Sequence, residues 1–88
     1  MSAVPVITIH LRPGCHLCAQ ALAVLETIAA DQPFTLERID IESDDVLHAR
    51  YLERIPVIAL DGEELYDFHV DAADLRSRLA AGARPGAR

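Results

Sequence analysis

The chain has 88 residues, room for one domain. Its 14 acidic residues against 8 basic ones leave a formal charge of −6, which argues against a general binder of nucleic acid or of anionic membrane surfaces. Apolar residues make up 51% and charged residues 25%, a globular and not a disordered balance, and no uncharged apolar run approaches the ~20 residues of a membrane helix.

Residues 4–11, rich in Val and Ile, predict a central strand covered on both faces. Arg12-Pro13-Gly14 breaks it. From Cys15 to about Ala30 the pattern is helical, with Cys18, Ala21, Leu22, Leu25 and Ala29 on one stripe, and Asp31-Gln32-Pro33 ends the helix. Residues 34–41 predict a second strand, charged enough to lie nearer an edge. Ser43-Asp44-Asp45 supplies an N-cap and negative charge for a helix to about Glu53, with Val46, Leu47, Tyr51 and Leu52 as its apolar positions. Residues 56–60 form a short apolar strand whose leading Pro56 removes no interior ladder bond. Asp61-Gly62 is a hairpin signal, and residues 63–68 return as the fourth strand.

Asp71-Ala72-Ala73-Asp74 resembles a capping box that opens a last helix, which runs through about Ala81 and stops at Gly82. Residues 82–88 are expected to fray. The four arginines from Arg76 to Arg88 carry no intervening acid and read as a solvated end. The order β-α-β-α-β-β-α makes the first two strands parallel with a right-handed crossover and the last two antiparallel. The fold class is α/β: one domain, residues 1–88, with a four-stranded mixed sheet and helices on both faces.

Cys15 and Cys18 are separated by two residues. A disulfide between them closes a tiny loop and constrains the unfolded chain little, so a structural staple explains the pair poorly. Cys15 falls at a helix N-terminus, where free N–H groups and the helix dipole favour a thiolate. Cys18 falls one turn later on the buried stripe. An accessible nucleophile beside a shielded partner suits dithiol exchange, in which the first attacks a disulfide and the second resolves the mixed disulfide. Two rivals stay open: a thiolate metal site, which needs two further ligands, and a binding module that uses no redox chemistry. No basic N-terminal region or cleavage site precedes the first strand, so the expected location is the cytoplasm.

With CxxC after the first strand, Ile55-Pro56 opening the third and this element order, the chain resembles the small glutaredoxin-like proteins of the thioredoxin superfamily from Val6 to about Leu79. The resemblance implies a thioredoxin fold, a cis Ile55-Pro56 bond beside the dithiol, and thiol–disulfide oxidoreductase activity in cell redox homeostasis. Cys15 would be the nucleophile and Cys18 the resolving thiol. It also implies that Ile55 backbone groups stay open for an extended substrate to pair with. Arg12 matches a basic contact to the glutathione carboxylate, and Asp71 would meet a ligand amino group. No bound cofactor is implied. The partners would be a disulfide-containing protein or small thiol substrate, with glutathione or a reductase as electron donor.

The chain departs from the family pattern in two places. His16-Leu17 stands between the cysteines where glutaredoxins carry Pro-Tyr. Asp67-Phe68-His69-Val70 precedes Asp71 where they carry Gly-Gly, which predicts weak glutathione recognition. His16, if charged, would stabilise the Cys15 thiolate; otherwise it faces solvent. His48 reads as a surface residue and His69 as a loop residue. Tyr51, Tyr66, Phe34 and Phe68 read as core or edge packing, and the acids from Asp40 to Asp45 as capping and solvated charge.

Overall fold

A computed structural model describes residues 4–82. Strand β1 (Val6–Leu11) leads to helix α1 (His16–Asp31), strand β2 (Thr35–Asp40), a 3-10 turn (Ile41–Ser43) and helix α2 (Asp45–Tyr51). Strands β3 (Val57–Leu60) and β4 (Glu63–Asp67) and helix α3 (Ala72–Gly82) follow. The sheet order is β2-β1-β3-β4, with β1 parallel to β2, β1 antiparallel to β3 and β3 antiparallel to β4.

The predicted topology holds, and β2 lies at an edge. The hairpin turns at Asp61 and Gly62, whose φ of 50° and 91° suit a two-residue turn matched to strand twist. Asp61 also ties the hairpin to β1: its N–H donates to the Val6 carbonyl at 2.8 Å, and its carboxylate accepts the Val6 N–H at 2.9 Å.

Ile7, Ile9 and Ile58 pack against Ala21, Leu25 and Ile28 of α1 and Leu75 and Leu79 of α3. Each fully buried Ile or Leu contributes about 1.5–3 kcal/mol of transfer free energy. On the other face Val57 clusters with Cys18, Ile41, Tyr51 and Ile55, flanked by Leu11, Cys15 and Leu47. Thus α1 and α3 cover one face and α2 the other.

Several boundaries differ from the sequence reading. Strand β1 alternates buried Ile7 and Ile9 with half-buried Thr8 and His10, since the seven-residue α2 is too short to cover the whole second face. Ile28, not Ala29, is the buried residue of the last turn but one in α1. Strand β2 ends at Asp40, and Ile41 turns inward as a fully buried residue of the 3-10 turn. Within the expected Ser43-Asp44-Asp45 cap, Asp44 is the residue that caps α2: its carboxylate accepts the N–H groups of Val46 at 2.7 Å and Leu47 at 3.3 Å. Ser43 instead donates its hydroxyl to the Asp40 carbonyl. Helix α2 ends at Tyr51, before the predicted Glu53, and Val46 and Leu52, expected as apolar positions of the helix, are exposed.

The capping box of α3 forms only by half. The Asp71 carboxylate accepts the Asp74 N–H at 3.0 Å, but the Asp74 carboxylate turns to the Tyr66 hydroxyl at 2.6 Å and Arg78 Nε at 2.7 Å. Those two partners keep Asp74 below the usual carboxylate range, while burial and Asp74 push the Tyr66 phenol up. Gly82 is the last described helical residue and does not stop the helix before it. The rest of the predicted frayed end, including Arg84 and Arg88, lies outside the described residues.

Candidate functional site

Gly14, at φ 75°, turns the chain from β1 into α1 with a left-handed backbone that suits glycine. Cys15 then takes an extended conformation as the N-cap of α1. Its Sγ accepts the Cys18 N–H at 3.1 Å, which aims one of the helix's free N–H donors at the sulfur. Cys15 and Cys18 are joined as a disulfide, with their Cα atoms 5.1 Å apart. Cys15 is partly exposed and Cys18 only 3% exposed, the asymmetry the sequence predicted. A shallow depression of about 310 Å³ lined by Gly14, Cys15, His16 and Ala19 opens at the exposed sulfur. His16 is the first residue of the helix and is exposed.

The Ile55–Pro56 bond is cis and both residues are buried, Ile55 in the cluster that holds Cys18. One expectation for Ile55 is corrected. Its N–H is not open to a substrate; it donates to the Tyr51 carbonyl at 3.1 Å, because the chain leaves α2 in a tight turn. The Pro56 carbonyl is also engaged, by the Phe68 N–H at 2.8 Å.

Arg12 pairs with Glu42 at 3.7 Å, with both side chains nearly half exposed. Such a pair is worth at most about 1 kcal/mol, so Arg12 is loosely held. Asp71 is exposed and commits one carboxylate oxygen to the N-terminus of α3. Among the described residues there is no group of three or more His, Cys, Asp or Glu able to hold a metal ion.

Two further features escaped the sequence reading. The first centres on Tyr51. Its ring stacks on His10 with centroids 4.2 Å apart, its hydroxyl donates to Glu64 at 2.8 Å, and the guanidiniums of Arg50 and Arg54 lie 5.3 and 5.4 Å from its centroid. Arg54 reaches Glu64 at 2.8 Å and grips both Asp67 oxygens at 3.1 Å. Arg54 and then the Tyr51 hydroxyl hold Glu64 below the usual carboxylate range, and burial raises Tyr51. His10 Nδ1 is buried without a hydrogen-bond partner of good geometry among the described residues. Burial lowers the His10 pKa, against an opposing pull from Glu64. His48, read as a surface residue, is half-buried.

The second feature is Phe68. Its φ is 70°, and the next N–H, of His69, donates back to the Asp67 carbonyl at 2.7 Å. This is a γ-turn of the rarer left-handed form, centred on a bulky residue, and such strain costs of order 1–3 kcal/mol. The residue is nonetheless 42% exposed, so of the two expected roles, core or edge packing, Phe68 does not fill the core. The other three aromatics follow that prediction: Tyr51 is buried, and Tyr66 and Phe34 pack against the apolar core. A local signal for Phe68 was faint, since nothing in Asp67-Phe68-His69 marks a left-handed residue.

The comparisons with known proteins agree with this geometry. The family model described as "Glutaredoxin-like domain (DUF836)" matches residues 6–80. The protein Ne2328 from Nitrosomonas europaea, solved in solution, is 26% identical with a TM-score of 0.76, over 89% of this chain and 94% of that one. The X-ray structure of XcR50 from X. campestris is 36% identical with a TM-score of 0.68, over 85% of this chain and 96% of that one. A mutant thioredoxin from Halobacterium salinarum, 23% identical with a TM-score of 0.62 over 90% of this chain and 74% of that one, shares the fold. With a buried and a partly exposed cysteine bridged at the start of α1, and a family match over most of its length, the chain belongs to the glutaredoxin-like domain family and has a thioredoxin fold.

Proposed function

We propose that the protein is a thiol–disulfide oxidoreductase. The single observation that carries this reading is the Cys15–Cys18 disulfide, with one cysteine partly exposed at a helix N-terminus and the other buried. A bridge over so short a loop does little for stability, so its use lies in being made and broken.

In the reduced protein, the Cys18 N–H and the other free donors of the first turn favour the Cys15 thiolate, the nucleophilic form. The thiolate attacks one sulfur of a substrate disulfide. The S–S bond breaks, a mixed disulfide forms on Cys15, and the first substrate thiolate leaves and takes a proton from solvent. Cys18 then loses its proton and attacks the Cys15 sulfur. The second substrate thiol departs and the Cys15–Cys18 disulfide remains. The substrate has gained two electrons and the protein has lost two. Glutathione or a dithiol reductase in the cytoplasm restores them.

Glutathione itself is a poor substrate on this reading. Arg12 can offer one charge-assisted contact, worth about 1.5–3 kcal/mol, against the roughly 4 kcal/mol of millimolar binding. It already leans on Glu42, and Asp71 already caps α3. A protein or peptide disulfide is the better partner.

The test is trapping with single cysteine variants. Cys18→Ser should accumulate a mixed disulfide on Cys15, seen by mass spectrometry, and Cys15→Ser should accumulate none. Equal trapping by both variants would reverse or erase the assigned roles. Robust glutathione-dependent turnover, lost in Arg12→Ala, would instead make glutathione the substrate.

A further inference from the structure

We propose that Arg54 is a positioning residue: it clamps the turn of residues 52–56 to the sheet and so keeps Cys18 covered, within reach of Cys15 and out of reach of disulfides in solution. The inference rests on the oxidoreductase reading and deepens it. Dithiol exchange needs a resolving thiol that stays silent until a mixed disulfide has formed on its neighbour. Cys18 is silent for as long as the residues packed around it stay in place.

The turn joins α2 to β3, and its Ile55 lies in the buried cluster that also holds Cys18, Tyr51 and Val57. The backbone of the turn is tied near both ends. The Arg54 and Ile55 N–H groups donate to the Tyr51 carbonyl at 2.8 and 3.1 Å, and the Pro56 carbonyl accepts the Phe68 N–H at 2.8 Å. The first tie is local to the end of α2 and does not by itself fix the turn against the sheet. The Arg54 side chain supplies that link. Its Nε and Nη2 fork onto the two Asp67 oxygens at 3.1 Å each, and Nη2 also reaches Glu64 Oε1 at 2.8 Å. The other Glu64 oxygen accepts the Tyr51 hydroxyl at 2.8 Å. One arginine and two carboxylates of β4 thus anchor both Ile55 and Tyr51, two of the residues clustered with Cys18. A fork on a carboxylate, shared with a second one, fixes direction as well as distance, which a single exposed ion pair does not. All three charged side chains are partly exposed, so the clamp can be removed without opening a cavity in the core.

The test is labelling of Cys18 as the only thiol, in the Cys15→Ser background, followed by mass spectrometry with two uncharged probes. With iodoacetamide the sulfur displaces iodide. With 2-hydroxyethyl disulfide it breaks the S–S bond, keeps one half as a mixed disulfide and releases the other as mercaptoethanol. Arg54→Met retains the aliphatic stem and removes the fork. It should speed both reactions by on the order of ten-fold, through a local opening of the turn. Asp67→Asn cuts the clamp from the side of β4 and should act in the same direction. The rise should depend little on urea well below the unfolding midpoint, because a local opening exposes little surface. Unchanged labelling in the folded Arg54→Met protein overturns the proposal. So does a rise as steep in urea as global unfolding, since Arg54 would then serve stability alone. If Arg54→Met does not fold, Asp67→Asn decides by the same two criteria. Cys18→Ser is run beside them with the disulfide probe. No mixed disulfide on its Cys15 overturns the oxidoreductase reading and this inference with it, whereas unchanged Cys18 labelling overturns this inference alone.

Discussion

On one face of the sheet, Ile7, Ile9 and Ile58 meet Leu25, Ile28, Leu75 and Leu79 in an apolar layer. On the other, Val57 and Ile55 share their space with Cys18 and Tyr51, and Tyr51 carries a rim of His10, Arg50, Arg54 and Glu64. The first face has two long helices, of 16 and 11 residues, to close it. The second has the seven-residue α2 and completes its cover with stacked rings and ion pairs. The contrast teaches that stability and chemistry are divided in this small molecule. The apolar layer holds the elements in place, and the mixed face lies against the buried sulfur, where polar groups are accessible to solvent and to titration.

The division can be broken most severely at Leu25, which is fully buried in the apolar layer. Leu25→Ala should cost about 2–5 kcal/mol in urea unfolding, yet leave the midpoint of a redox titration in place while the protein is folded. A shifted redox midpoint would show the two faces to be coupled.

Tyr51→Phe probes the mixed face more gently. It removes one hydrogen bond to Glu64 and keeps the ring that stacks on His10, so the expected loss is about 0.5–1.5 kcal/mol. A loss as large as that of Leu25→Ala would mean that the polar rim, and not the apolar layer, dominates stability.

The pH dependence should come from the same face. Burial lowers the pKa of His10 in the folded state, so the unfolded chain takes up its proton first as pH falls. The stability tied to neutral His10 is therefore complete above the ordinary value of 6.5 and declines below it. Glu64 and Asp74 act in a lower window: their folded pKa values are depressed, so their contribution is present above the ordinary carboxylate range and lost as pH drops through it. Urea midpoints measured between about pH 7.5 and 5.5, the window in which an ordinary histidine titrates, should fall for the native chain and stay flatter for His10→Phe. Parallel curves would remove His10 as the source.

The smallest effect belongs to Arg12→Ala. Its exposed 3.7 Å pair with Glu42 should contribute at most about 1 kcal/mol, reduced further by salt. A larger loss in thermal unfolding would assign Arg12 a structural role that its exposure does not suggest.

The sequence by itself determined the order of elements, the central placing of the first strand, the Asp61-Gly62 turn and the pairing of an exposed with a buried cysteine. These follow from local rules: apolar period, turn chemistry, and the position of Cys15 and Cys18 relative to one helix start. The mixed face was legible only in pieces. His10, Tyr51 and Glu64 are far apart in the chain, and neither their stacking nor the bond to Glu64 has a local signature. Ser43 and Asp44 compete for one cap, and only the 3-10 turn that buries Ile41 selects Asp44. The Ile55 N–H is taken up locally, by the Tyr51 carbonyl four residues back, in a turn that no apolar period or turn residue marks. Tertiary structure alone decided that Phe68 is held left-handed: the bond from its N–H to the distant Pro56 carbonyl, with the turn closed by the His69 N–H, outweighs the local preference of the backbone, which is all that a sequence pattern records.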